Sequence, residues 1–154
     1  MVLEQSDAIE VRRSPGKGRG VFARRRIQAG EVIERVPVLV VPIDDLYNGS
    51  TWTTLGEYCF LWSKRTVALA LGYGSLYNHS FHPNARYDDR GQRTKIFTAL
   101  REIEPGEEIT VNYNGDPDDD SAVGFAVVEA EAKPRDEYPA RSRRTKGASQ
   151  TEIG

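Results

Sequence analysis

Glycine breaks residues 9–114 into short runs that alternate apolar with polar or are densely β-branched, and this punctuation constrains the fold more than any other feature of the chain. "IEVRRS" and "RGVFARR" alternate on either side of "PGKG". "EVIERVPVLVVP" alternates first, then becomes continuously β-branched up to Pro42. "YCFLW", "ARYDD", "RTKIFTAL" and "EEITVNY" complete the set, with "DRGQ" as a hairpin turn. Successive strand side chains point to opposite faces, so such runs suit half-buried strands. Many of them joined by glycine turns predict a mainly β domain with short helices. The helical candidates are "LYNGSTWTTLGEY", enough for a turn or two, and "TVALALGYGSLYN", which fits strand, helix or both.

Two connections share one spacing. "RIQAGEVI" (26–33) and "EIEPGEEI" (102–109) both read Ile-x-x-Gly-Glu-x-Ile. Pro105-Gly106 fits a type II turn, with proline fixing φ at the second position and glycine accepting positive φ at the third. This reads as one turn solution used twice, not as a tandem repeat. After Asn114 the character changes. "GDPDDD" is a like-charge run that suits a solvated loop, and "SAVGFAVVEAEA" suits one last element. From Lys133 onward hydrophobes are scarce, and residues 133–154 are expected to form a disordered basic tail.

The 154 residues are the usual size of one domain. A net charge of −2 gives no general reason to expect nucleic acid or membrane as partner. The single cysteine, Cys59, excludes a disulfide framework and a cysteine-based zinc cluster, and reads as a small buried hydrophobe. The polar, acidic start "MVLEQSDAIE" is no signal peptide, and no apolar run approaches the roughly 20 residues of a membrane span. A soluble, cytoplasmic protein is expected, with a nuclear location also open.

Three segments could carry chemistry. "LYNHSFHPNA" (76–85) holds both histidines, His79 and His82. His-x-x-His can place two imidazoles on one helix face, but Pro83 pushes His82 away from α geometry. No third histidine and no nearby cysteine completes a tetrahedral zinc site, so no metal is expected. Without a Gly-x-Ser-x-Gly elbow, a serine hydrolase is also a poor fit. Taken alone, His79 reads as a satisfied core histidine beside a turn. "SPGKGRGVFA" (14–23) alternates glycines at 16, 18 and 20. It matches no nucleotide-phosphate motif. It suits either a backbone that passes close to a ligand or a plain glycine-rich hairpin. "GEEITVNY" ends on Tyr113, and a tyrosine at a strand end is usually packing.

Read together, "GKGRGVFA" (16–23), "GEVI" (30–33), "NHSFHPN" (78–84) and "GEEITVNY" (106–113) resemble the SET-domain family of protein lysine methyltransferases. The flow of "EYCFLWSKRTVALALGYGSLYNHSFHPNARYD" is similar to the minimal viral SET proteins, which lack cysteine-rich flanks. The resemblance implies a SET (β-clip-like) fold of small curved sheets, in which the C-terminal strand segment crosses the Asn-His-Ser segment in a knot-like way. It divides the chain into a lead at 1–8, the SET domain at 9–114, a closing segment at 115–132 and the tail.

The same resemblance implies S-adenosyl-L-methionine as methyl donor, with S-adenosyl-L-homocysteine as product. The backbone of Lys17, Gly18, Arg19 and Gly20 is expected along the methionine part of the donor, with Asn78 and His79 at its adenine and amino end. Tyr113 matches the tyrosine at the methyl-transfer point, and Tyr58 a tyrosine lining the substrate channel. His82 falls at a variable position. Val111 stands where relatives often carry Phe or Tyr, and its smaller size implies di- or trimethylation. The partner is a protein presenting a lysine, such as a histone or histone-like protein.

The chain departs from the family in two places. Asn112 stands where many relatives have Asp or Ser. The C-terminus lacks a cysteine-bound zinc segment and offers Phe125, expected near the adenine or the channel, and Tyr138. Three expectations follow from these regions. The last apolar element could pair two chains into a homodimer. Arg141, Arg143, Arg144 and Lys146 could grip nucleic acid without sequence preference. The acidic run 116–120 could attract a basic substrate. The competing reading is a SET fold without catalysis, serving as an interaction module.

Overall fold

The computed structural model describes residues 2–91, 93–127 and 129. Tyr138 and the basic tail lie outside the described residues, as does most of the sequence after Val127. Among the described residues no α-helix forms; the helical structure is two single 3₁₀ turns, Ile43–Asp45 and Gly56–Tyr58, the second of them within the expected "LYNGSTWTTLGEY". The ambiguous "TVALALGYGSLYN" resolves into a strand followed by turns, because Gly72 takes φ +58° and leads the chain out of the sheet.

Four strands form the sheet that carries the candidate site. β1 (Ile9–Ser14) and β2 (Gly18–Ala23) make a hairpin over "PGK", with Ser14 opposite Gly18. The short β6 (Asn78–His79) and the last strand, β9 (Glu108–Val111), complete the order β1-β2-β9-β6. β9 runs antiparallel to β2 and parallel to β6, with His79 opposite Val111. The Asn-His-Ser motif thus sits on an edge strand built on the strand that leads to Tyr113.

The second sheet has the order β4-β5-β3-β8-β7, from β3 (Val32–Pro42), β4 (Phe60–Leu61), β5 (Thr66–Ala70), β7 (Ala85–Arg90) and β8 (Thr94–Ala99). β3 serves two partners: residues 32–37 pair with β8 and residues 38–42 with β5. Pro37 lies at the changeover, where its missing N–H leaves no gap in either ladder. A register shift between Val32 and Glu34 lets both Ile33 and Glu34 face inward, which strict alternation forbids. The core between the sheets is aromatic. Tyr77 stacks on Phe97 at 4.3 Å between ring centroids, and Phe60 meets Tyr87 edge-on at 4.9 Å. Each such side chain contributes about 1.5–3 kcal/mol by leaving water, and an aromatic pair adds about 0.5–1.5 kcal/mol. Cys59 is fully buried, as expected of a small hydrophobe.

The two Ile-x-x-Gly-Glu-x-Ile connections lie against each other. Ile27 and Ile103 exchange both backbone hydrogen bonds, each 2.9 Å. Each connection is a type II turn, with the N–H of Glu31 donating to Gln28 O and that of Glu107 to Glu104 O. Gly30 and Gly106 supply the positive φ, 81° and 82°. Even the ion pairs correspond, Arg25 with Glu31 and Arg101 with Glu107. Burial alone would raise the Glu107 carboxyl, but the Arg101 guanidinium, the Glu104 N–H and the Asn84 amide outweigh it and hold it below its usual range.

Candidate active site

Tyr113 follows directly on β9 and is fixed at three atoms. Its N–H donates to His79 Nδ1 at 3.0 Å, its carbonyl accepts from the Tyr87 hydroxyl at 3.3 Å, and its own hydroxyl donates to Tyr77 O at 2.7 Å. Parallel pairing of β6 with β9 brings His79 and Tyr113 together although 34 residues separate them. His79 Nδ1 accepts a hydrogen bond, so that nitrogen is unprotonated. The ring sits among Phe81, Tyr113 and Phe125, with centroids 4.5, 5.2 and 6.0 Å away. Burial pushes the Tyr113 phenol well above its usual range, and the charges of Glu108 and Tyr58 push the same way. The hydroxyl therefore stays protonated and neutral across the physiological range, where it orients a partner but accepts no proton.

Tyr113 stands between two cavities. One, of about 160 Å³, is lined by Gly16, Lys17, Asn78, His79, Tyr113 and Phe125 with its two following residues. The other, of about 240 Å³, is lined by Lys17, Gly18, Arg19, Tyr58, Asn78 and Tyr113, with Glu57, Ser75 and Leu76. Lys17, Asn78 and Tyr113 face both. Eight of the ten site residues expected from sequence therefore converge on one place. Gly20 and Val111 line neither cavity: Gly20 lies behind them, and Val111 is fully buried in the main core. Phe125, half-exposed, also meets Tyr113 edge-on at 5.9 Å between centroids.

The segment after Tyr113 is held down at intervals. Asn112 Nδ2 donates to Asp119 O at 2.6 Å, and Asn114 Nδ2 donates to Ser121 O at 2.7 Å. This explains Asn112: a carboxylate there would oppose a carbonyl with no proton to offer. Further on, the Glu129 carboxylate accepts from Ser80 Oγ at 2.6 Å and from Phe81 N–H at 2.7 Å. The C-terminal segment thus straps across the Asn-His-Ser segment, with Phe125 at the cavity.

Sequence reasoning missed four participants. Tyr77 and Tyr87 supply two of the three bonds to Tyr113. Glu129 clasps the strap. Glu108 accepts from Ser14 Oγ at 2.9 Å, from Lys17 Nζ at 3.2 Å and from Asn78 Nδ2 at 2.7 Å. Only Glu108 had a signal in the sequence, as a charge on a strand that must be largely buried. Among the described residues no cluster of three or more His, Cys, Asp or Glu could hold a metal ion.

Comparisons with known proteins agree with this geometry. The SET domain family matches residues 18–114. A histone-lysine N-methyltransferase of Schizosaccharomyces pombe, H3 lysine-37 specific, is 40% identical over 107 residues, 68% of this chain and 72% of that protein. Histone-lysine N-methyltransferase 2B of Homo sapiens is 34% identical over 119 residues, covering 70% of this chain but 4% of that much longer protein. A crystal structure from Plasmodium falciparum, described as a histone methyltransferase, superposes with a TM-score of 0.60 at 28% identity, covering 72% of this chain and 95% of that one. With the motif strands, the two-sided tyrosine and the family match over residues 18–114 in agreement, the chain belongs to the SET-domain family.

Proposed function

We propose that the protein transfers methyl groups from S-adenosylmethionine to a lysine side chain of a protein substrate, with a histone or histone-like protein as the substrate class. The observation that carries this reading is the oriented Tyr113 hydroxyl between two cavities that share Lys17 and Asn78. The residues present suit the donor. Phe125 and His79 give the smaller cavity an aromatic wall for a purine, and the backbone of residues 17–19 lines the larger one for the methionine part. The Asn78 amide spends its Nδ2 hydrogens on Arg19 O and Glu108, which leaves its oxygen to accept from an ammonium. The target lysine then enters past Tyr58.

When bound, the donor supplies a methyl on a sulfonium, which is already a good leaving group. The residues must prepare the amine. Free lysine has a pKa of about 10.4, so only about 1 in 2,500 side chains is neutral at pH 7. The apolar walls of Tyr58 and Tyr113 disfavour an ammonium and lower that pKa. The Tyr113 hydroxyl donates its hydrogen bond to Tyr77 O, so its oxygen is oriented to accept a hydrogen bond from the amine and hold it for in-line attack.

Thermal unfolding with and without the donor tests the pocket. At about 100 times the dissociation constant one ligand adds ~2.7 kcal/mol, a melting shift of roughly 5–10 °C at this size. S-adenosylhomocysteine should give a similar shift and ATP none. Tyr113→Phe should lower methyl transfer by on the order of 10²-fold while the donor still shifts melting. No shift in the wild type sinks the enzyme reading in favour of a non-catalytic interaction module.

A further inference from the structure

We propose that Glu108 is the positioning residue of the donor pocket, fixing the Asn78 amide so that its oxygen is the atom presented to the ligand. The inference rests on the methyltransferase reading above and adds to it a residue that the chemistry does not touch. Asn78 Nδ2 donates to Arg19 O at 2.8 Å and to Glu108 Oε2 at 2.7 Å. Both partners are acceptors only, so the amide has one permitted orientation; the flipped form would set oxygen against oxygen twice. A side chain that lines both cavities thereby offers a ligand an acceptor and not a donor. That suits an N–H donor such as an α-ammonium.

The same carboxylate reaches the glycine hairpin. Its other oxygen accepts from Ser14 Oγ and from the Lys17 ammonium, and the Lys17 and Glu108 side chains are only 12% and 16% exposed. Bonds to an ionised partner in such shelter are stronger than neutral ones. One side chain on β9 therefore ties the hairpin that bounds the pocket to the motif strand that floors it. Gly20 is the sequence's allowance for this arrangement. A Cβ at that position would lie 2.3 Å from Glu108 Oε2 and 2.9 Å from Asn78 Nδ2. The third glycine of "GKGRG" makes room for the Glu108–Asn78 bond, not for the ligand.

Calorimetric titration of the full chain with S-adenosylmethionine tests this. Glu108→Gln keeps the shape but replaces one acceptor oxygen with a donor, so it cannot serve Asn78 and the hairpin together. The dissociation constant should rise about tenfold, the order of a lost charge-assisted bond. Melting of the unliganded protein should fall by less than about 5 °C. In an Asn78→Ala background the same substitution should change affinity by less than about twofold, because its effect runs through Asn78. Gly20→Ala, which displaces the carboxylate from the opposite side, should weaken binding similarly and lose its effect in the same background; it decides the matter if Glu108→Gln does not fold. Unchanged affinity in these variants, or the full loss persisting without the Asn78 amide, overturns the inference alone. A wild-type protein that binds no donor overturns the methyltransferase reading together with it.

Discussion

Tyr113 has three polar atoms, and each has a partner on a different segment: His79, Tyr87 and Tyr77. Two of those partners are core residues that no motif marks. Tyr77 is in turn held by a buried acid, its hydroxyl donating to Glu34 Oε1 at 2.9 Å, while Glu34 Oε2 accepts the Tyr73 N–H. Burial raises the Glu34 carboxyl above its usual range, and those two hydrogen bonds only partly offset it. An unfolded glutamate titrates near 4.3. Above that pH the folded protein keeps a proton that the unfolded chain has released, so stability declines as pH rises through the window up to the raised value. Glu34→Gln should remove that decline. The wild type should therefore lose ground relative to the variant between pH 4 and pH 7 in thermal melts. A wild type that gains relative to the variant over that range would contradict the assignment. At this scale the sequence marked Tyr113, Asn78 and His79 by motif. It could not mark Glu34, whose burial needs the irregular register of β3.

The paired turns show how much one element owes to another. Gly30 and Gly106 occupy equivalent positive-φ positions, and Gly106 has its nearest neighbour for a Cβ at 3.7 Å, while Gly30 has none within 4 Å. Alanine at either site thus meets no clash and carries only backbone strain, about 1–2 kcal/mol. Gly30→Ala and Gly106→Ala should destabilise by similar amounts in denaturant titrations; a gap of several kcal/mol between them would show that the turns are not equivalent. The turn type was legible from Pro105-Gly106, and the likeness of the two connections from their shared spacing. Their mutual pairing was not, because nothing in either segment says that Ile27 lies beside Ile103. The open choice between strand and helix in "TVALALGYGSLYN" was settled for a related reason. "TVALA" is apolar enough for either state, and β3 and β4 on its two sides decided for the strand.

At the scale of the whole molecule the site closes through contacts between segments far apart in the sequence. Ser14 and Glu108, 94 residues apart, meet across the first sheet. Phe125 reaches back to His79 and Tyr113, and Glu129 to Ser80. The strap contributes one aromatic wall to the pocket, so Phe125→Ala should weaken donor binding by about 2–10-fold, the equivalent of the 0.5–1.5 kcal/mol of an aromatic contact. Calorimetry that shows no change would leave Phe125 as surface packing. The sequence alone determined the strand-rich architecture, the type II turns and the motif segments that meet at the candidate site. These depend on local φ preferences, on alternation and on short motifs, all written within a few consecutive residues. Only the tertiary structure decided which side chains hold that site in place. Glu108, Tyr77, Tyr87 and Glu129 act through hydrogen bonds across 26 to 94 positions of sequence, and such bonds are fixed by strand order and register, which no local stretch encodes.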